Sequence, residues 1–470
     1  MSHPFASPRA ALLGLLLTAA SVALFAQQPV APEQKPVAPA PAPEPKQTTT
    51  LPEPTKPKEA TPASAPTTPP TPSGPVQATP STQVAPTPAA PEIVWSPVRA
   101  SVPATPEDEL VIAAVGDIML GSTFPEKDGS ALPPQDGLHL LDEVAPFLKS
   151  ADLSIGNLEG PLLDGTDPSP KCKGKAEGTC YAFRVPTRYA KLLADAGFVA
   201  MGVANNHAKD FGPAGQESTI ATITAAGIAQ SGGNGVVAHL LVKGKKVSYI
   251  AFATYPQFNN ALDIDASTAL VQAEAKLADY VIVSFHGGAE GSDRQHVPMG
   301  HEMFLGEDRG DLRTFTHAMI DAGAALVFGH GPHVVRGMEI YKGHLIAYSL
   351  GNFATYGHIN LKGVNGLTLV LSARLGKDGR FLGGTVHPAY QEYPGGPHVD
   401  PEGKVLNVIR TLSQSDFGKT AVTVADDGAI VAPAAPTPAT REASAAVGTS
   451  GSAPAPTAGT GAAKPTAETN

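Results

Sequence analysis

Polar residues that could bind a metal ion or transfer protons follow apolar runs in the middle of the chain, at the point where each run ends. The clearest case is the stretch VAMGVANNHAKDFG at 199–212, whose apolar run ends abruptly in Asn205, Asn206 and His207. Five other apolar runs end in carboxylate, carboxamide or imidazole side chains. The residues at these ends are Asp117, Asn157, Glu159, His286, His330 and Asn352, and His333 follows His330 closely.

This mixture of side chains suits borderline divalent metals such as Zn, Mn or Fe, and it differs from the all-oxygen ligand set of a calcium site. Each residue alone has a simpler explanation. Asp117 could cap a turn, Asn205 and Asn206 could form one, and His286 could be a hydrogen-bonded structural histidine. The agreement among six strand ends favours a common metal or catalytic cleft over these separate explanations.

Other kinds of site find little support in the sequence. The chain has no G-x-S-x-G motif of serine hydrolases and no G-x-x-x-x-G-K-[ST] phosphate loop, and the run GGNG near Gly233 lacks dinucleotide-binding spacing. A net charge of -10, a pI of about 5.8 and the lack of a basic patch with interleaved aromatics give no reason to expect nucleic acid as a partner.

The elements that must position these residues alternate between strand-like and helix-like segments. Two helices are predicted, over 187–197 with a left-handed cap at Gly197 and over 314–323 ending at Gly323. The strand candidates are 110–115, 153–156, 199–204, 247–253, 280–285, 324–328, 345–350 and 367–373. This alternation predicts an α/β domain with a sheet covered on both faces, and ligands in such folds collect at the carboxyl ends of strands.

The folded domain is expected over 107–430. Such a length is large for one domain, so an inserted subdomain or a core of two sheets is predicted. The part after Gly366 is predicted to form hairpins and loops. Residues 129–134 and the loop KCKGKAEGTCYAF are the expected insertions.

The two ends of the chain have the composition of targeting and spacer segments. Residues 1–26 place Arg9 ahead of an apolar run from 10 to 26, which predicts a secretory signal or, alternatively, an uncleaved N-terminal anchor. Residues 27–106 and 431–470 are rich in Pro, Ala and Thr and predict a disordered linker and a disordered C-terminal tail. We therefore expect export, with a periplasmic or extracellular location.

The chain has two cysteines, Cys172 and Cys180, in one loop. In an exported protein, this spacing most simply predicts a disulfide that staples a surface insertion. A zinc site is the weaker alternative because the loop contains no histidine to complete the coordination.

Several motifs together resemble the CapA family, which is linked to poly-γ-glutamate capsule synthesis and belongs to the metallophosphoesterase-like group. They run in the family's order and cover nearly all of the expected folded region. The matching motifs are GDIMLG from Gly116, NLEGPL from Asn157, CYAFRVP from Cys180, ANNHAKDFG from Ala204, SFHGGAE from Ser284, GHGPHVVRGME from Gly329 and YSLGNF from Tyr348.

The resemblance implies a four-layer α/β/β/α sandwich with a cleft for divalent metal ions between two sheets. His207 would act as an acid near the leaving group. The phosphoesterase pattern has His where this chain has Met119, so the first metal would have one ligand fewer. The implied ligands are Asp117 for the first metal, Glu159 as the bridging carboxylate, Asn206 and His286 for the second metal, and His330 and His333 to complete the site, with Asn157, Asn205 and Asn352 in support.

The function implied is that of an exported CapA-like protein of poly-γ-glutamate or surface-polymer biosynthesis, with a metal-dependent hydrolase or transferase cleft. The expected partners are an anionic surface polymer or its precursor and a membrane-bound synthesis machinery. Two alternatives stay open. One is a non-catalytic polymer-binding or cell-wall assembly factor, and the other is a metallophosphoesterase unrelated to capsule.

Overall fold

The computed structural model describes residues 93–98, 106–125, 131–176, 180–357 and 359–431. The predicted signal or anchor segment at 1–26, most of the predicted linker at 27–106 and nearly all of the predicted tail at 431–470 lie outside the described residues. Within the described ranges, no helix is both long enough and apolar enough to span a lipid bilayer.

Strands and helices alternate through the described chain, as the sequence predicts. The strands are β1 (Ser96–Pro97), β2 (Leu110–Met119), β3 (Leu153–Leu158), β4 (Ala200–Gly202), β5 (Ala229–Ser231), β6 (Ala238–Val242), β7 (Lys245–Ala253), β8 (Tyr280–His286), β9 (Met303–Phe304), β10 (Glu307–Asp308), β11 (Leu326–His330), β12 (Met338–Tyr341), β13 (His344–Ala347), β14 (Asn352–Thr355), β15 (Leu367–Leu375), β16 (Phe381–Tyr390), β17 (His398–Val399), β18 (Thr423–Val424) and β19 (Ala429–Val431). The helices are α1 (Ala145–Lys149), α2 (Ala190–Ala196), α3 (Gly212–Ala225), α4 (Ile264–Glu274), α5 (Leu312–Ala322) and α6 (Lys404–Phe417).

Two mixed sheets contain nearly all of the strands. The seven-stranded sheet has the order β1-β6-β7-β8-β11-β13-β12, and its centre from β7 to β13 is parallel. The ten-stranded sheet has the order β18-β19-β16-β15-β2-β3-β4-β5, with β14 beside β2 and β17 beside β16. Its half from β2 to β5 is parallel, whereas β15, β16, β19 and β18 pair antiparallel. A separate hairpin joins β9 and β10.

The two sheets pack face to face around a central hydrophobic core. Ile112 and Ile155 of the ten-stranded sheet share this core with Tyr249, Ile282 and Phe328 of the seven-stranded sheet. All of these side chains are fully buried. Strand residues alternate between the two faces of a sheet, so each sheet must also cover an outer face.

Helices cover both outer faces of the sandwich. Leu148 of α1, Leu193 of α2 and Ile223 of α3 pack on the ten-stranded sheet. Val271 of α4 and Phe315 of α5 pack on the seven-stranded sheet. The layers are therefore α, β, β and α, which confirms the predicted fold class. Of the two explanations offered for the domain's length, the core of two sheets is the one observed.

The predicted elements agree with the observed ones except near the C-terminal end of the domain. All eight strand candidates overlap an observed strand, and helices α2 and α5 end at Gly197 and Gly323, both with left-handed backbone. The prediction of only hairpins and loops after Gly366 is wrong, because helix α6 occupies Lys404–Phe417. Its apolar face has helical spacing, but the preceding segment at 391–403 is rich in Pro and Gly, a composition typical of loops.

Helix α6 closes one side of the sandwich. Val405, Leu406 and Ile409 enter the central core, and the helix contacts β12 of one sheet and β16 of the other. It thereby ties the two sheets together.

Candidate metal centre

Parallel pairing places the predicted strand ends side by side. In the ten-stranded sheet, Asp117 lies opposite both Asn157 and Asn352. In the seven-stranded sheet, His286 lies opposite His330. The Nδ2 atom of Asn157 is 3.3 Å from Nδ1 of His286, so the strand ends of the two sheets meet at one end of the sandwich.

Two carboxylates and two imidazoles come together at this meeting point, and we call them the Asp–Glu–His cluster: Asp117, Glu159, His286 and His333. Ligand atoms of Asp117, Glu159 and His333 all lie within 4.8 Å of one another. His333 has Nδ1 at 3.2 Å from Oδ2 of Asp117 and Nε2 at 3.7 Å from Oε1 of Glu159. His286 has Nδ1 at 3.8 Å from Oδ1 of Asp117 and Nε2 at 3.7 Å from Oε1 of Glu159.

Several buried atoms around the cluster have no hydrogen-bond partner within the described residues. They are both carboxylate oxygens of Glu159, Nε2 of His286 and Oδ1 of Asn206. A buried polar group without a partner costs about 1–3 kcal/mol, so such groups are rarely left together by chance. Oxygen atoms and a neutral imidazole nitrogen are electron-pair donors, and the set therefore fits a divalent cation.

The acidity of the carboxylates follows from burial and from the neighbouring imidazoles. Burial opposes the charge on Asp117, but the hydrogen bond and charge of His333 outweigh it and lower the pKa of this carboxyl. Burial raises the pKa of Glu159 well above its ordinary value, and the charges of Asp117 and Glu290 raise it further. The two carboxylates therefore differ strongly in proton affinity although both contact the same histidines.

The two cluster histidines also differ in protonation. Burial lowers the pKa of His286 well below its ordinary value, so its imidazole is neutral and keeps a lone pair. Burial also opposes the charge on His333, but the negative charges of Glu159 and Asp117 raise its pKa to about 10. A cation bound between the carboxylates would therefore compete with the protons that the cluster holds.

His330 lies next to the cluster but contacts backbone carbonyls. Its Nε2 is 2.9 Å from the oxygen of Val115, and its Nδ1 is 3.3 Å from the oxygen of Phe285. These carbonyls belong to β2 and β8, so the ring braces the two sheets against each other. A neutral imidazole donates to only one of the two carbonyls, and burial lowers the pKa of His330, so its other ring nitrogen keeps a lone pair and its role as a metal ligand stays a prediction.

Asn157 and Asn205 form a chain of hydrogen bonds behind the cluster. Asn157 donates from Nδ2 to Oδ1 of Asp117 at 2.8 Å and accepts at Oδ1 from Nδ2 of Asn205 at 3.1 Å. Asn205 also donates to the carbonyl of Leu158 and accepts from the backbone N–H of His207. Both residues therefore fix the positions of their neighbours, and their role in supporting a metal site stays a prediction.

Asn352 holds His333 in an uncommon backbone conformation. His333 has a φ of 59°, a left-handed value that is costly for a residue with a Cβ atom. Asn352 contacts Nδ1 of His333 through Oδ1 at 3.1 Å and donates from Nδ2 to its carbonyl at 3.1 Å. The two contacts direct the imidazole toward Asp117 and Glu159.

Gly116 allows two strands to approach closely just before Asp117. A Cβ atom at this position would lie 1.9 Å from the backbone oxygen of Gly351. That same oxygen accepts a hydrogen bond from the N–H of Asp117 at 2.9 Å. The glycine of the GDIMLG motif thus lets the segment just before Asn352 rest directly on β2.

His207 is oriented by an aspartate that the sequence reasoning missed. Its Nδ1 is 2.7 Å from Oδ2 of Asp210, and the other oxygen of Asp210 accepts from Nζ of Lys171 at 2.5 Å. The backbone N–H of Phe183 also donates to Asp210, at 2.8 Å. Burial lowers the pKa of His207, and the negative charge of Asp210 opposes this shift. The spacing His-x-x-Asp in NNHAKD was the available signal.

A disulfide joins Cys172 and Cys180, with an S–S distance of 2.08 Å and a Cα–Cα distance of 5.6 Å. The bond agrees with the pairing that the spacing favours. Lys171 immediately precedes the bridge, and Cys180 and Tyr181 line the cleft in front of the cluster. The stapled loop therefore forms part of the cleft wall and brings Lys171 to Asp210.

The cluster opens into a cleft of about 670 Å³. His333, Asn206, His207 and Met119 are among its lining residues, together with the aromatic wall residue Phe304. Met119, at the position where the phosphoesterase pattern has histidine, thus borders the same cleft as the predicted ligands. His286 and Glu159 lie beneath this surface and are 1% exposed.

Two further charged residues of the cleft were not predicted as site residues. Glu290 accepts at Oε1 from Nη1 of Arg309 at 2.8 Å and from Nδ2 of Asn206 at 3.5 Å. Its other oxygen is 3.9 Å from Nε2 of His333. Glu290 occurs in the motif SFHGGAE, whereas Arg309 lies in a loop without a recognisable motif, so only the structure reveals their pairing.

Comparison with known proteins agrees with the motifs. The model of the family described as bacterial capsule synthesis protein PGA_cap matches residues 111–356. The chain is 28% identical over 265 residues to the PGA biosynthesis protein CapA of Bacillus subtilis, covering 53% of this chain and 63% of that protein. It is 29% identical over 268 residues to the capsule biosynthesis protein CapA of Bacillus anthracis, covering 52% and 60%. The matched region thus spans less than two thirds of either relative.

A solved structure is also similar to the chain. It is a calcineurin-like phosphoesterase of Bacillus subtilis, with 15% sequence identity and a TM-score of 0.34, and the match covers 65% of this chain and 97% of that one.

Proposed function

The chain belongs to the family of bacterial capsule synthesis proteins PGA_cap, and from this premise we propose a function in the biosynthesis of poly-γ-glutamate or a related surface polymer. We propose that the protein is exported and uses a metal-dependent hydrolase or transferase cleft. The observation that carries the proposal is the set of buried acceptor atoms on Glu159, Asn206 and His286 that have no hydrogen-bond partner in the described part of the chain.

The cluster and its neighbour Asn206 are the residues that would hold the metal. Asp117, Glu159, His286 and His333 supply two carboxylates and two imidazoles, and Asn206 adds a carboxamide oxygen. This set suits Mn, Zn or Fe. A divalent ion bound there supplies Lewis acidity toward an amide carbonyl or a phosphoryl oxygen.

The remaining steps belong to side chains of the protein. His207 contacts Asp210 through Nδ1, which leaves Nε2 to donate a proton to the leaving group. Lys171 and the N–H of Phe183 hold Asp210 in place, so the imidazole keeps one orientation. Phe304 lines the same cleft and offers an apolar surface to a bound polymer.

The metal proposal is tested by removing the charge of one ligand while keeping its shape. We expect Asp117→Asn and Glu159→Gln to reduce the metal content of purified protein to background and to abolish turnover of poly-γ-glutamate. Asp293→Asn is the matched control, since Asp293 lines the cleft outside the cluster and is exposed. A parent protein with neither bound metal nor activity would overturn the enzymatic proposal.

A non-catalytic role in polymer binding or wall assembly is the second candidate. Met119 favours it, because a thioether replaces an imidazole beside the cluster and is a poor ligand for these metals. Normal polymer production in cells that carry His207→Gln and Glu159→Gln would support this role. Hydrolysis of generic phosphodiesters without any effect on the polymer would instead support a phosphoesterase unrelated to capsule.

Export and the partners form a separate part of the proposal. Arg9 and the apolar run at 10–26 support export, and an exported protein can reach both a surface polymer and a membrane-bound synthesis machinery. Fractionation of cells should place the protein in the periplasmic, extracellular or membrane fraction. Recovery in the cytoplasmic fraction alone would contradict this part of the proposal and leave the chemistry of the cleft unaffected.

A further inference from the structure

Arg309 lines the cleft with one edge of its guanidinium group unpaired. The residue is 1% exposed, and its Nη1 donates to Oε1 of Glu290 at 2.8 Å. Its Nε and Nη2 atoms are buried and have no hydrogen-bond partner within the described residues. These two nitrogens form the edge of a guanidinium that donates two parallel hydrogen bonds to a carboxylate or a phosphate.

A second buried arginine shows what a purely structural role requires. Arg336 is 0% exposed and donates from Nη1 and Nη2 to the two oxygens of Glu302, at 2.7 Å and 2.8 Å. Its Nε donates to the carbonyl of Arg294 at 2.8 Å. The fold thus satisfies every nitrogen of Arg336, whereas it satisfies only one nitrogen of Arg309.

The position of Arg309 is fixed by its surroundings. Its backbone N–H donates to Glu302 at 2.8 Å, and its carbonyl accepts from Gly288 at 2.7 Å. Both nearby carboxylates, Glu290 and Glu307, approach Nη1, at 2.8 Å and 4.0 Å. The acidic side chains therefore anchor one end of the guanidinium and do not occupy the edge formed by Nε and Nη2.

We propose that this edge of Arg309 binds a carboxylate of the substrate and makes Arg309 a specificity-determining residue of the cleft. Glu290 connects it to the cluster, since it contacts Arg309 with one oxygen and lies 3.9 Å from His333 with the other. In a γ-linked glutamate polymer every unit carries a free α-carboxylate close to its amide bond. Binding of that carboxylate would place the neighbouring amide at the cluster, a step that rests on the function proposed above.

The test measures binding by calorimetry with the full chain. The probes are γ-linked triglutamate, the same peptide with its α-carboxylates converted to carboxamides, and inorganic phosphate. We expect the parent protein to bind the carboxylate form about tenfold or more tightly than the carboxamide form. Arg309→Gln should remove this preference, and Arg309→Lys should weaken it, because lysine keeps the charge but lacks the parallel donors.

Arg313→Gln is the control for loss of a positive charge, because Arg313 donates to the carbonyl of Val297 and does not line the cleft. Glu159→Gln separates the two proposals. It should abolish turnover yet leave the preference for carboxylate intact if Arg309 acts as proposed.

Three results would overturn the inference. The first is equal affinity of the parent protein for the two peptides, or no binding of either. This measurement needs no variant, so a folding defect cannot explain it. The second is an unchanged preference in Arg309→Gln. The third is Arg309-dependent binding of inorganic phosphate without a preference for the carboxylate peptide, which would identify a phosphate site instead.

Discussion

His207 and Asp210 should act as a unit if the cleft is catalytic. His207→Gln removes the proposed proton donor, and we expect a fall in turnover of about 10²–10⁴-fold with the bound metal retained. Asp210→Asn should produce a smaller fall, because the imidazole remains but loses the acceptor at 2.7 Å that orients it. Turnover of poly-γ-glutamate and metal content are measured together.

The exposed aspartate Asp195 on α2 provides a matched control for this pair. Asp195→Asn should leave both turnover and metal content unchanged. A His207→Gln protein that turns over polymer at the parental rate would exclude the proposed acid.

The site residues that lie at the ends of strands could be predicted from the sequence. Asp117, Glu159 and His286 follow buried apolar runs, so their convergence follows from parallel pairing. Asp210 and Arg309 come from loops, where no periodicity indicates which way a side chain points.

The contacts of His330 could not be predicted from the sequence either. Its position at a strand end is the same as that of His286. What distinguishes the two rings is the nearby carbonyl of Val115, which belongs to the other sheet. Such a contact depends on how the sheets pack and has no counterpart in the local sequence.

Strand β2 and the segment before β14 depend on a glycine for their close approach. In Gly116→Ala the new methyl group would meet the oxygen of Gly351 at 1.9 Å, so one backbone segment must shift. We expect a loss of about 1–3 kcal/mol in the free energy of unfolding, together with weaker metal binding, because the shift displaces Asp117 and Asn352. Denaturant unfolding and metal titration measure the two effects.

Gly376→Ala is the control for this substitution. The nearest atoms that its methyl group would meet belong to the side chains of Asp378 and Leu382, both at 3.2 Å, and these can adjust. If Gly116→Ala binds metal as tightly as this control does, the contact with Gly351 does not position the site.

Helices and strands were more predictable than the contacts between them, because the spacing of apolar residues within one segment indicates its type. Strand β8 is buried along its full length and is apolar apart from Ser284 and the terminal His286. Helix α5 has the apolar spacing of a helix that covers a sheet. Helix α6 is the exception. Val405 and Ile409 lie on its buried face, but the preceding loop-like composition concealed the helix.

The molecule as a whole places its chemistry where two independent sheets end together. Each sheet supplies part of the cluster. Asp117 lies in β2 and Glu159 directly follows β3, both strands of the ten-stranded sheet, and His286 ends β8 of the seven-stranded sheet. The layer order followed from the resemblance and from the alternating elements. The distance between the two sheets at the cleft did not, because it depends on side chains that interdigitate across the central core.

Glu339 connects three parts of the molecule. Its Oε1 accepts from Nε2 of His317 on α5 and from the hydroxyl of Tyr348, both at 2.8 Å. Its Oε2 accepts from the hydroxyl of Thr420, which follows α6, at 2.7 Å. Burial opposes the charge on Glu339, but these hydrogen bonds outweigh it and lower the pKa of this carboxyl.

The lowered pKa of Glu339 predicts how the stability of the protein depends on pH. In the unfolded chain this carboxyl binds a proton at higher pH than in the folded protein, so acid favours unfolding. The contribution is complete above the ordinary glutamate pKa of about 4.3 and is lost as the pH falls through the lower pKa of the folded state. We expect Glu339→Gln to reduce the free energy of unfolding by about 2–3 kcal/mol at pH 7. The deficit should shrink on acidification because the parent protein then loses the same charge.

Urea unfolding of both proteins between neutral pH and pH 3.5 measures this difference. Glu217→Gln, at an exposed position on α3, is the matched control and should show no deficit at any pH. A deficit for Glu339→Gln that stays constant over the whole range would mean that packing, and not the ionised carboxylate, accounts for the loss. A deficit that disappears in acid would show that the charge of Glu339 stabilises the contacts among α5, the edge of the seven-stranded sheet and the segment after α6.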